Sequence, residues 1–67
     1  DWLALDEALT ALQAHDPALH EVVMLRFFAG LSVEETADAI NRSDRTVKRM
    51  WSDSRDWLNK FLAEREP

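Results

Sequence analysis

The residues best suited to chemistry in this 67-residue chain are cations gathered in its second half. Arg42, Arg45, Lys48, Arg49, Arg55 and Lys60 meet only Asp44, Asp53 and Asp56 over residues 42–60, a local balance of +3. Residues 1–41 carry eight acidic groups against Arg26 alone, a balance of −7. The formal net charge of −5 therefore hides a basic segment, and it is the local sign that attracts a polyanion.

Bond-making chemistry finds little support. His15 and His20 are five positions apart, which does not place them on one helical face. His20-Glu21 could open an H-E-x-x-H zinc motif, but Met24 occupies the position of the second His. The chain has no Gly-rich phosphate loop, no nucleophile elbow and no Cys. We therefore expect no enzyme, no metal, no cofactor and no small-molecule substrate. The lack of Cys also rules out a disulfide framework and fits a reducing compartment. No apolar run approaches the roughly 20 residues that span a bilayer, and no secretory signal pattern opens the chain. A cytoplasmic site and no membrane partner are expected. Because the chain opens on Asp1 and not Met, we expect it to be a piece of a longer protein.

With one Gly, two Pro and 46% hydrophobic residues, the composition points to an all-α globule. The length allows one domain, spanning 1–67, and such a small core gives modest stability. Trp2, Leu5, Leu9 and Leu12 form one stripe of a first helix over about 2–13. Asp16-Pro17 supplies a cap followed by Pro at the first helical position, opening a second helix over about 17–29. Its Leu19, Val22, Val23, Leu25, Phe27 and Phe28 cover much of the circumference, which predicts the centre of the core. Gly30 should end it in the left-handed region. Ser32-Val33-Glu34-Glu35 reads as a capping box for a short helix over 33–40, with Val33, Thr36, Ala37 and Ile40 inward. Asn41-Arg42-Ser43 is a tight turn, its Asn tolerant of positive φ and its Ser able to cap the last helix, about 44–63.

That last helix has the clearest geometry. At about 100° per residue, Val47, Met50, Trp51, Ser54, Trp57, Leu58, Phe61 and Leu62 fall in one sector of roughly 140°. Arg45, Lys48, Arg49, Ser52 and Asp56 lie opposite. The cations could line a solvated face held by Asp44–Lys48 and Arg49–Asp53 pairs. The capped short helix and tight turn before them favour a helix-turn-helix, whose second helix enters the major groove of DNA. Trp51, Trp57 and Phe61 share the Val47 stripe, so they are assigned to the core and not to base stacking. Glu34 and Glu35 are assigned to capping and to the helix dipole.

The series Leu5-Asp6-Glu7-Ala8-Leu9, Asp16-Pro17, Val22 to Phe28, Gly30-Leu31-Ser32-Val33-Glu34-Glu35-Thr36-Ala37, Thr46-Val47-Lys48-Arg49 and Trp51 through Arg55 to Leu58 resembles region 4 of sigma-70 family factors. The likeness is strongest to the extracytoplasmic-function subfamily and covers about Leu5 to Leu62. The pairing of "GLSVEETA" with "TVKR" at this spacing carries it; either half alone is a weak signal. The resemblance implies a four-helix compact domain with a helix-turn-helix, of winged-helix-like or sigma region 4 type. It implies a role in bacterial transcription initiation: reading the promoter −35 element in double-stranded DNA and docking on the β-subunit flap of core RNA polymerase. Region 4 domains are also docking sites for anti-sigma factors, a further implied partner. Carried over by position, Arg45, Thr46, Lys48, Arg49 and Ser52 become DNA-facing candidates, with Ser43 and Arg55 as phosphate contacts.

Two positions depart from the family pattern. Asn41 stands where Gly is usual, a swap that positive φ tolerates. Arg42 stands where the turn usually carries an apolar residue; it either leaves the turn less anchored or adds a phosphate contact. The portion that binds the −10 element and melts DNA is not among these residues. Two rivals stay open: the DNA-binding domain of a LuxR-type response regulator, and a helical protein-interaction module suggested by the acidic half and the Trp2 stripe.

Overall fold

The computed structural model describes residues 2–65, which form four helices and no strand. Helix α1 spans Trp2–His15, α2 Pro17–Val23, α3 Val33–Ile40 and α4 Asp44–Glu64. The domain expected over 1–67 runs past the described residues at both ends. Helix α2 does not continue regularly to the Gly30 turn. Over Met24–Phe28 the backbone widens into a π-helix, closed by Ala29 N–H donating to the Met24 carbonyl at 3.0 Å.

Each start and stop has a local cause. The Asp16 carboxylate accepts from the N–H groups of Ala18 and Leu19 at 3.1 and 3.3 Å, and Pro17 follows at the first helical position. Gly30 takes φ +73, and Leu31 N–H returns to the Leu25 carbonyl at 3.0 Å. Asn41 takes φ 57 and ψ 48, while Arg42 N–H closes on the Ala37 carbonyl at 3.0 Å. Asn manages this left-handed turn because its short polar side chain tolerates the region.

The capping box of α3 is complete. Glu35 N–H donates to Ser32 Oγ at 3.0 Å, and Ser32 N–H donates to Glu35 Oε1 at 2.9 Å. The Ser32 N–H, and after it the Ser32 hydroxyl, hold the Glu35 carboxyl below the usual carboxylate range. A group whose folded pKa is depressed stabilises at neutral pH and loses that contribution as pH falls through the carboxylate range. Ser32→Ala should therefore cost about 1 kcal/mol at neutral pH, and less in acid once Glu35 is protonated. Urea denaturation midpoints at the two pH values measure this; an unchanged midpoint at neutral pH would mean the box does not hold the helix.

Helix α1 packs on α2 and α4, and α3 on α4. Val22, Ala37 and Val47 form a buried cluster, with Val33, Ile40, Met50 and Trp51 packed around it. Ala8 and Leu12 are buried on α1, and Ser54 is buried on α4. The Ser54 hydroxyl donates to the Met50 carbonyl at 2.7 Å, which lets a polar residue sit inside the stripe.

One expectation about the core needs correcting. Phe27 is 67% exposed and Phe28 51%, so neither lies at its centre. Val22 and Val23 already face the neighbouring helices, and four helices are too few to surround α2; the π segment then carries the two rings outward. Trp2 is 82% exposed at the far end of the α1 stripe, whose burial is complete only at Leu12.

Candidate nucleic-acid interface

The turn Asn41-Arg42-Ser43 sets the angle between α3 and α4, and α4 carries the cations. Ser43 caps α4 by accepting from Thr46 N–H at 3.1 Å, while its hydroxyl donates to Thr46 Oγ1 at 3.0 Å. Ser43 and Thr46 therefore already satisfy part of each other's capacity, and Thr46 is half-buried. Arg45, Lys48, Arg49 and Ser52 are exposed and unobstructed along the outer face of α4. Val47 and Ser54 on the opposite face are fully buried, so the helix cannot turn this face inward. The free N–H groups of its first turn add partial positive charge at the same end.

Arg42 and Arg55 lie apart from this arc. Arg42 is exposed yet borders a shallow depression with Ala18, Glu21, Ile40 and Met50. Arg55 stands between the basic arc and a groove on the other side of the molecule, which it lines together with Leu5, Leu9, Phe27, Trp51 and Leu62.

That groove, about 270 Å³, is walled by α1, the π segment and α4 and floored by Val23. Its lining is mostly apolar, with Arg55 and Asn59 as polar edges. Sequence reasoning placed Phe27 and Phe28 in the core and so missed this surface. The signal available was the excess of large apolar residues around α2, more than one small core can take. Arg26 was also missed as a structural residue, although a lone cation inside an apolar run calls for a specific partner.

The aromatic residues of α4 do not point at the basic face. Trp57 stacks on His15 at 5.1 Å and on Phe61 at 5.3 Å, joining α1 to α4, and Trp51 packs on the central cluster. Arg65 pairs with Glu7 and lies 5.3 Å from the Phe61 ring. No group of three or more His, Cys, Asp or Glu residues suited to a metal ion occurs among the described residues. No helix among them is long and apolar enough to cross a membrane.

Among known proteins, a family model described as ECF sigma factor matches residues 1–64. No match to a curated protein or to a solved structure is found. The matched stretch contains all four helices, the turn and the basic face. Capped α3, the left-handed turn and α4 with cations outside and a core inside are thus the helix-turn-helix of a transcription-initiation factor that works with DNA and RNA polymerase, and the chain belongs to the extracytoplasmic-function sigma factor family.

Proposed function

We propose that this chain reads the −35 element of bacterial promoters with α4 and docks on the β-subunit flap of RNA polymerase through its apolar groove. One observation carries the first half: α4 exposes Arg45, Lys48, Arg49 and Ser52 on one face while Val47 and Ser54 anchor the other. A helix held this way can lie in the major groove, with its first turns at the base edges. Arg45 is central to the exposed arc and is assigned to base contact. Lys48, Arg49 and Ser52 flank it as base-edge or phosphate contacts. Arg42, Ser43, Thr46 and Arg55 are assigned to the phosphate backbone, Ser43 and Thr46 through whatever capacity their mutual bonds leave.

The groove supports the second half of the reading. A mostly apolar cleft edged by two partly exposed Phe rings fits an amphipathic helix or an apolar loop tip of a partner. An anti-sigma factor would act by covering either surface. The protein-interaction reading is thereby absorbed: the chain has one face for each kind of partner.

The test treats the two faces separately. Binding to duplexes selected from a random pool should weaken steeply with salt, because phosphate contacts release counterions. Replacing Phe27 and Phe28 together by Ser should leave that DNA affinity and the denaturation midpoint nearly unchanged. It should weaken binding to an isolated β-flap domain by about tenfold or more, the loss expected from exposed aromatic anchors. A double variant that still binds the flap fully would remove the groove from the proposal.

A further inference from the structure

Arg26 is the only Lys or Arg in residues 1–41, and it is half-buried on the π segment that follows α2. Its Nη1 donates to the Leu31 carbonyl at 2.8 Å. Its guanidinium carbon lies 5.3 Å from the centre of the Trp51 ring. Its Nε is buried and has no hydrogen-bond partner. A buried donor without an acceptor costs free energy, which the ring contact and the bond to Leu31 must offset.

These contacts join three parts of the fold. Arg26 rises from the π segment, whose Phe27 and Phe28 edge the groove. It covers Trp51, which forms a groove wall and also packs on the Val22–Ala37–Val47 cluster beneath the helix-turn-helix. It holds Leu31, the residue before the Ser32 cap of α3. A planar, forked guanidinium can stack on a ring and donate sideways in one pose; a Lys ammonium cannot reproduce both contacts.

We propose that Arg26 is a positioning residue that couples the apolar groove to the helix-turn-helix, so that a partner in the groove and DNA on α4 strengthen each other's binding. The proposal rests on the reading of the two surfaces given above. An occupant packed on Phe27, Phe28 and Trp51 confines the π segment and the ring beneath the guanidinium. The bond to Leu31 passes that confinement to the start of α3, and the shared core passes it to α4. The second ligand then meets a domain already ordered. Linkage requires the same factor in both directions: DNA must tighten the groove as much as the occupant tightens DNA binding.

The experiment closes a thermodynamic cycle on the 67-residue chain. A pool-selected duplex and an isolated β-flap domain are each titrated alone and in the presence of saturating amounts of the other. For the unaltered chain each ligand should raise affinity for the other by about fivefold or more, equally within error. In Arg26→Lys and Arg26→Met the affinity for each ligand alone should stay within about twofold of the unaltered chain, while the coupling factor falls toward one. The flap domain alone should also shift the amide resonances of Leu31 to Glu35 in the unaltered chain and leave them in place in Arg26→Lys. A coupling factor of one in the unaltered chain, with both ligands bound, overturns the coupling and leaves the two surfaces standing. Failure of the flap domain to bind overturns the groove reading and the coupling with it. Variants that lose both single affinities together would show Arg26 to be structural only.

Discussion

Leu12→Ala should leave this chain largely unfolded in water near room temperature. Leu12 is fully buried on α1, the helix that packs on both α2 and α4. Truncating a buried Leu to Ala costs about 2–5 kcal/mol in lost transfer energy and residual cavity. A domain of this length holds only about 3–10 kcal/mol in all, at roughly 0.05–0.15 kcal/mol per residue. The loss is comparable to the whole. Trp2→Ala is the matched control: it removes a larger side chain from the same stripe, but one that is 82% exposed, so the midpoint should barely move. Circular dichroism against urea reads both. If Leu12→Ala unfolds at the same urea concentration as its parent, α1 is not part of the core as described.

The second large effect is on DNA, and it separates specificity from attraction. Arg45 is exposed in the first turn of α4, where a groove-inserted helix meets the bases. Arg makes bidentate contacts with guanine, so Arg45→Ala should cost about 1–3 kcal/mol on the best duplex and relax preference at one position. Arg55 lines the edge of the apolar groove, away from the centre of the basic arc, and is assigned to the phosphate backbone in the proposed reading. Arg55→Ala should weaken all duplexes alike and lower the salt slope by about one unit. Both variants are titrated on the preferred duplex and a scrambled one at two salt concentrations. Equal weakening of both duplexes by Arg45→Ala, with a changed ranking in Arg55→Ala, would put the wrong part of α4 in the groove.

What the sequence shows well is whatever short-range chemistry decides. Ser32 with Glu35, Asp16 with Pro17, Gly30, and Asn41 with Ser43 each mark a helix end within a few residues, and each cap forms as expected. The α4 stripe is equally plain, because a 21-residue helix repeats its period often enough to fix which face is inside. The π segment left no such mark. Met24–Phe28 reads as ordinary helix, and no residue type in it marks the widening. Tertiary packing also decides which apolar residues of a crowded helix stay outside, so Phe27, Phe28 and the groove emerged only in three dimensions. Arg26 was visible as an oddity, but its partners Leu31 and Trp51 meet it only through the fold.

The wide winding at Met24–Phe28 also bears on insertions and deletions. A π turn holds one residue more than an α-helix would need over the same path. Deleting one residue there would close a regular hydrogen-bond ladder and leave the flanking residues in about the same phase. A deletion from regular helix instead turns everything beyond it by about 100° and shifts it by about 1.5 Å. Val22 would keep its place against Ala37 and Val47, and the loss would fall on the wall of the groove, which Phe27 and Phe28 line. Length variation of one residue among related chains should therefore be tolerated at Met24–Phe28 as well as in the turn around Gly30, and not within the regular turns of α4.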